Sequence, residues 1–142
     1  MNKKALIFLL LLVCFLLVFM GCNQGSSGGP GGSAIKVTDF RGKTITLDAP
    51  AENIACMLDS GLTMLHMLGV NDEVIAVDKW TYDNPALPYS AKLDERLASK
   101  ELPAVTGNIE KLISLKPDIV IIWAEHEDIE VLENNGIKVY GV

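Results

Sequence analysis

Two tryptophans, an acidic run with an imidazole, and one cysteine inside the foldable part of the chain are the residues with chemistry to offer. Glu125-His126-Glu127-Asp128 sets carboxylates beside a histidine ring, donor types that can hold a divalent cation. Consecutive residues rarely point at one ion, however, and acidic residues in the first turn of a helix are favoured by its dipole. The run therefore reads as the acidic start of a helix, and no metal site is expected. His66, the other histidine, lies inside an apolar helical pattern and reads as packed there. Cys56 stands in an apolar strand pattern and reads as a small buried hydrophobe. No dinucleotide fingerprint follows a strand, and neither a phosphate-binding loop nor a nucleophile turn sits at a strand–helix junction. Neither an enzyme nor a resident cofactor is expected. What remains is aromatic surface, Trp80 and Trp123, and its worth depends on where the fold puts it.

The elements that must do this positioning are short and regular. Ile35–Thr38 and Lys43–Leu47 alternate around Asp39-Phe40-Arg41-Gly42, which predicts a β-hairpin. Asn53–Met57 reads as a strand. A helix follows, capped by Asp59 or Ser60, carrying Leu62, Met64, Leu65 and Leu68 and stopped by Gly69. Val74–Val77 is the next strand. Residues 81–103 hold three prolines and read as loop with a short helix near Ala91–Ala98; Ala104-Val105 is a minimal strand. Asn108 caps a helix that ends at Lys116-Pro117. Asp118–Trp123 has the apolar run of a strand covered on both faces. A last helix from Glu127 to Asn135 is closed by Gly136, and Ile137–Tyr140 is the final strand.

Strands alternating with helices predict an α/β fold, a Rossmann-like parallel sheet with flanking helices, preceded by the hairpin. Ligands of such sheets bind beyond the carboxyl ends of the strands. That rule singles out Leu58–Gly61, Asp78–Tyr82, Thr106–Asn108 and Trp123–Glu127, and both tryptophans fall in this set.

Composition bounds the partners. Without Lys3 and Lys4 the chain has 10 basic and 18 acidic residues and no basic run, which argues against nucleic acid. Lys3-Lys4, an apolar run from Ala5 to Met20, and Gly21-Cys22 resemble the lipobox of an exported lipoprotein, with Phe19 where an aliphatic residue is usual. Residues 1–21 are then a signal peptide and Cys22 the lipidation site; the other reading of the apolar run is an uncleaved anchor helix. Residues 22–34 form the lipidated start and a Gly/Ser-rich leash (NQGSSGGPGGS), leaving 35–142 as one small domain. Either reading holds the domain outside the cytoplasm at a membrane surface.

Three stretches carry a family resemblance: VTDFRGKTITLDAPAENIACM (37–57), MLHMLGVNDEVIAVDKW (64–80) and LPAVTGNIEKLISLKPDIVIIW (102–123). They are similar to the N-terminal lobe of class III solute-binding proteins, the ABC-importer receptors for iron–siderophores, haem and cobalamin. The resemblance implies two α/β lobes joined by a long helix, with ligand clasped between them. The chain stops at Val142, before that helix, and so reads as the N-terminal lobe only. Carried over by position, the ligand-facing residues are Met57, Asp59, Ser60, Trp80, Tyr82, Gly107, Asn108 and Trp123. Glu125 or Glu127 would dock the permease. The implied partners are an ABC permease with its ATPase and a small metal chelate, bound by a monomer. The competing readings are a surface-anchored stub that binds nothing alone, and a metal-ion receptor, which would need more ligating side chains than two histidines supply.

Overall fold

The computed structural model describes residues 34–84 and 87–142. The proposed signal peptide, Cys22 and the leash up to Ser33 lie outside the described residues.

The hairpin forms as expected: β1 (Ile35–Thr38) pairs antiparallel with β2 (Thr44–Leu47), Ile35 opposite Leu47 and Thr38 opposite Thr44. Its turn is organised by Asp39, a buried carboxylate that accepts from the backbone N–H of Arg41 (2.9 Å) and Lys43 (3.0 Å) and from Arg41 Nε (2.6 Å). Gly42, at φ +75°, supplies the left-handed residue that closes it.

Four parallel strands make the main sheet: β3 (Ile54–Cys56), β4 (Val74–Val77), β5 (Ile119–Ile122) and β6 (Val139–Gly141), in the order β4-β3-β5-β6. Helix α1 (Asp59–Met67) links β3 to β4; α2 (Trp80–Asp83), α3 (Leu87–Ser90), α4 (Glu95–Ser99) and α5 (Ile109–Ser114) lie between β4 and β5; α6 (Ile129–Asn134) links β5 to β6. Alternate strand residues face opposite ways, so the sheet separates two cores. On one side Ala55, Ala76, Val120, Ile122 and Val139 meet Leu112 of α5 and Ile129 and Leu132 of α6. On the other, Cys56, Val74 and Val77 meet Leu62 of α1 and Leu97 of α4. Each fully buried Leu or Val of these layers contributes about 1.5–3 kcal/mol of transfer free energy.

The step from β3 to β4 goes one way across the sheet with α1 on the Cys56 side. The steps to β5 and β6 go the other way with α5 and α6 on the Ala55 side. Reversing direction and face together keeps one crossover hand throughout, which the right-handed rule demands. It also creates a switch point between β3 and β5, where the helices on either side leave the carboxyl edge of the sheet uncovered.

Some boundaries differ from expectation. Helix α1 starts at Asp59 after Leu58, an extended residue, and no side chain caps it, so neither Asp59 nor Ser60 serves as its cap. The loop-rich segment holds three short helices; the expected helix at 91–98 is broken because Asp94 starts a new one, accepting from the Arg96 backbone N–H. The last helix begins at Ile129, two residues late, and in the turn before it the Asp128 N–H donates to His126 Nδ1 at 3.2 Å. Ala104 forms a single parallel bridge with Val77, which extends the β4 edge.

Candidate functional site

The carboxyl edge of the sheet opens into a cavity of about 520 Å³. Every strand-end segment that borders the switch point contributes: Met57, Leu58, Asp59 and Ser60 after β3, Asp78, Trp80 and Thr81 after β4, Thr106 and Gly107 before α5, and Trp123 after β5. Buried Val105, Leu112 and Ile122 make an apolar floor.

Of the carried-over residues, Met57, Asp59, Ser60, Trp80, Gly107 and Trp123 come together around this cavity. Trp80 and Trp123 are 58% and 60% exposed, far more than tryptophans that serve as core. Their positions follow from local structure. Asp78 Oδ1 accepts the Trp80 backbone N–H at 2.7 Å and its main-chain carbonyl accepts the Thr81 N–H at 3.0 Å, fixing the first turn of α2. Trp123 directly follows β5, and its carbonyl accepts the His126 N–H at 3.0 Å. Gly107 turns the chain into α5 at φ +66°, a conformation that side chains with a Cβ rarely adopt.

Two expected contacts lie elsewhere. Tyr82 packs against the Cys56-side core and donates its hydroxyl to the Leu102 carbonyl at 2.7 Å, with Lys100 Nζ 5.9 Å from the ring centre. Residues two apart on a helix point roughly 200° apart, so Trp80 facing the cleft sends Tyr82 inward. Burial, and after it the nearby Asp94 charge, raise the Tyr82 pKa, against the Leu102 hydrogen bond and Arg96. Asn108 is outside the lining; its side-chain oxygen caps α5 by accepting from Lys111 N–H at 2.9 Å.

Asp78, Thr81, Thr106 and His126, which lie within the strand-end segments, also line the cavity, and Asn84 and Asp128 line it from just outside those segments. The strand-end rule covers the first four, whereas Asn84, which ends α2, and Asp128, which precedes α6, fall outside it. His126 and Asp128 face the cleft together, Nδ1 to Oδ2 at 3.7 Å, while Glu125 and Glu127 are exposed beside it. No group of three or more potential ligating side chains is arranged for a metal among the described residues. His66 is remote from His126: it packs within the Cys56-side layer with Nε2 3.6 Å from Asp94.

A parallel sheet with an aromatic-rimmed cleft at its switch point makes this an α/β lobe that is open at its carboxyl edge. Residues 54–142 match the family described as periplasmic binding protein, and the chain belongs to that family. A vitamin B12-binding protein of Vibrio vulnificus is 30% identical over 99 residues, 65% of this chain and 32% of that protein. An uncharacterized ABC transporter substrate-binding lipoprotein of Bacillus subtilis, YvrC, is 26% identical over 113 residues, 76% of this chain and 33% of that one. The chain thus spans about a third of the length of the curated relatives it matches. Among solved structures, the molybdate periplasmic binding protein MolA of Haemophilus influenzae superposes with a TM-score of 0.65 at 20% identity, over 76% of this chain and 34% of that one. A protein of an Fe3+-hydroxamate transport system from Saccharomonospora viridis superposes at 0.58 with 24% identity, over 75% and 38%. At these identities the superpositions speak for the fold. The two curated relatives are named for binding and none of the four for a catalysed reaction.

Proposed function

We propose that this chain supplies the N-terminal lobe of the extracytoplasmic substrate-binding component of an ABC importer for an iron chelate, haem or cobalamin. The observation that carries the reading is the pair Trp80 and Trp123, both exposed and both on one cavity at the switch point of the sheet. Aromatic faces held open at a cleft suit a broad, planar or ring-bearing ligand, and an aromatic contact adds about 0.5–1.5 kcal/mol beyond buried area. The name of the vitamin B12-binding relative supports the same ligand class. The mechanism is capture and delivery without covalent chemistry. Met57, Asp59, Ser60, Gly107 and the two tryptophans would form one side of the clasp, and a second lobe would close the other. Glu125 or Glu127, exposed at the cleft rim, would present the loaded receptor to arginines of the permease. Lipidation at Cys22 and the Gly/Ser leash would keep a monomeric receptor near that permease yet free to move.

Trp80 and Trp123 are the only tryptophans of the chain, so their fluorescence reads the cleft directly. Saturable quenching by haemin, cobalamin or a ferric siderophore, weakened by Trp123→Ala, is the expected result; no saturable response to any of the three sinks the binding reading. Membrane fractionation of Cys22→Ala tests the anchor separately: release or misprocessing is expected, and unchanged membrane association removes the lipidation claim.

A further inference from the structure

The polar lining of the cleft has one sign. Asp59, Asp78 and Asp128 border the cavity with His126, and no lysine or arginine lines it among the described residues. Asp78 is engaged on both oxygens, by the Trp80 N–H and the Thr106 hydroxyl, which are uncharged donors that leave its charge uncompensated. Asp59 spends no side-chain hydrogen bond on capping α1. The carboxylate of Asp128 lies 3.7 Å from the imidazole of His126. Thr81, 2% exposed, also belongs to the wall of the cavity, and its Oγ1 has no hydrogen-bond partner among the described residues. A buried hydroxyl left unsatisfied is costly unless something fills the space against it.

We propose that this lobe selects ligands by charge, accepting neutral or cationic chelates and corrinoids that present N–H or O–H donors and rejecting anionic ones such as tris-catecholate chelates and oxyanions. The proposal rests on the binding reading above and narrows its ligand class. Carboxylates at the mouth of a low-dielectric cleft focus a negative potential into it, which enriches cations and depletes anions before contact. A bound anion would also bring like charges together without a guanidinium or ammonium to offset them, a repulsive element that discriminates as strongly as an attractive one. The carboxylate oxygens are acceptors suited to amide, hydroxyl or ammonium groups of the ligand.

The test compares charged quenchers of Trp80 and Trp123 in the full chain at low salt: iodide, caesium and, as the neutral reference, acrylamide. Relative to acrylamide, iodide quenching should be suppressed and caesium quenching enhanced by roughly two- to fivefold, with the gap closing in high salt. The double variant Asp59→Asn/Asp128→Asn should shrink the gap, while Glu95→Gln/Glu101→Gln, an equal charge change on the remote α4 surface, should leave it. Acrylamide quenching and circular dichroism check that each variant is folded. Equal quenching by iodide and caesium, or an equal effect of both double variants, overturns charge selection and leaves the binding reading to its own titration. In that titration neutral cyanocobalamin or a cationic ferric trihydroxamate should saturate the signal at lower concentration than a ferric tris-catecholate or molybdate. The reverse order overturns the proposal even though a ligand has bound.

Discussion

Thr106 and Asp78 lie 28 residues apart in sequence, yet the Thr106 hydroxyl donates to Asp78 Oδ2 at 2.5 Å, and Thr106 Oγ1 accepts the Lys79 backbone N–H at 2.7 Å. This one hydroxyl ties the loop after β4, which carries Trp80, to the turn that enters α5. Replacing it with Val should cost about 0.5–1.5 kcal/mol, a modest amount because the groups are solvent-accessible. The specific signature is motional. Thr106→Val should lower the steady-state anisotropy of tryptophan fluorescence, and unchanged anisotropy would show that Trp80 is held by other contacts.

Gly141 is expected to resist even the smallest side chain. A Cβ there would stand 2.9 Å from Arg41 Nε and 3.0 Å from the backbone Cα of Ala124. Arg41 cannot swing away cheaply, since it donates to Asp39, to Glu133 at 3.0 Å and to the Val139 carbonyl at 3.0 Å. Gly141→Ala should therefore destabilise the domain by about 1–3 kcal/mol in urea unfolding. Unaltered stability would mean that the hairpin and β6 part more easily than this network implies.

Stability should fall in two separate acid windows. Burial pushes the His66 imidazole below its ordinary value, outweighing the upward pull of Asp94. The unfolded chain then takes up the proton more readily, so stability is full above the ordinary histidine value of 6.5 and declines as pH falls from there towards the folded pKa. Four carboxyls behave differently. Asp94 is held below its ordinary value chiefly by hydrogen bonds from Arg96, and Asp118 by the backbone N–H of Glu52 and then of Asn53. For Asp39 and Glu133 burial acts upward, but the donors of Arg41 and Lys43 prevail. Their contribution is full above the ordinary carboxyl values of 3.8 and 4.5 and is lost only as pH falls below these towards their folded values. Urea midpoints across pH should show both steps, and His66→Leu should abolish the upper one alone. Persistence of the upper step in that variant would assign it to another group.

Cys56 is expected to be unreactive in the folded protein. Burial pushes its thiol up to about 11, and the S–H donates to the Leu58 carbonyl at 3.3 Å. Nucleophilic attack needs the thiolate, which is scarce and unreachable here. Pulse alkylation read by peptide mass spectrometry should label Cys56 only in denaturant. Labelling under native conditions at neutral pH would reveal local opening between β3 and α1.

Tyr82→Phe separates packing from recognition. Loss of the Leu102 hydrogen bond should cost about 1 kcal/mol of stability. The same variant should quench with haemin or cobalamin as the parent does, whereas a shifted binding curve would return Tyr82 to the cleft.

The family-like stretch 102–123 lines the cleft at both of its ends, but its middle lies away from it. In the Lys-Pro-Asp-Ile-Val run, Asp118 Oδ2 accepts the backbone N–H groups of Glu52 (3.0 Å) and Asn53 (2.8 Å), joining the starts of β3 and β5 at the end of the sheet opposite the cavity. Its conspicuous pattern is that of a joint between strands. The cleft residues are scattered singly at strand ends, where a short sequence offers little context. Trp123 was legible because a tryptophan directly after a fully apolar strand run must leave the sheet at its carboxyl end. Tyr82 was not, because the segment read as loop and α2 was unseen; without a helical phase, residues 80 and 82 look equivalent.

The residue pattern alone determined the alternation of strands and helices, the hairpin, the helix stops at Gly69 and Gly136, and hence a parallel sheet with the candidate edge at its carboxyl ends. These follow from local rules of periodicity, caps and turns, which act over a few residues. Tertiary structure decided the strand order, with its switch point between β3 and β5, and so which strand ends share a cavity. It decided that Asp59 and Ser60 face that cavity rather than cap α1, that Tyr82 and Asn108 are spent on packing and capping, and that His66 lies beside Asp94. Each of these depends on which segments meet across tens of residues, and packing of the two cores against the sheet, not the local chain, selects those meetings.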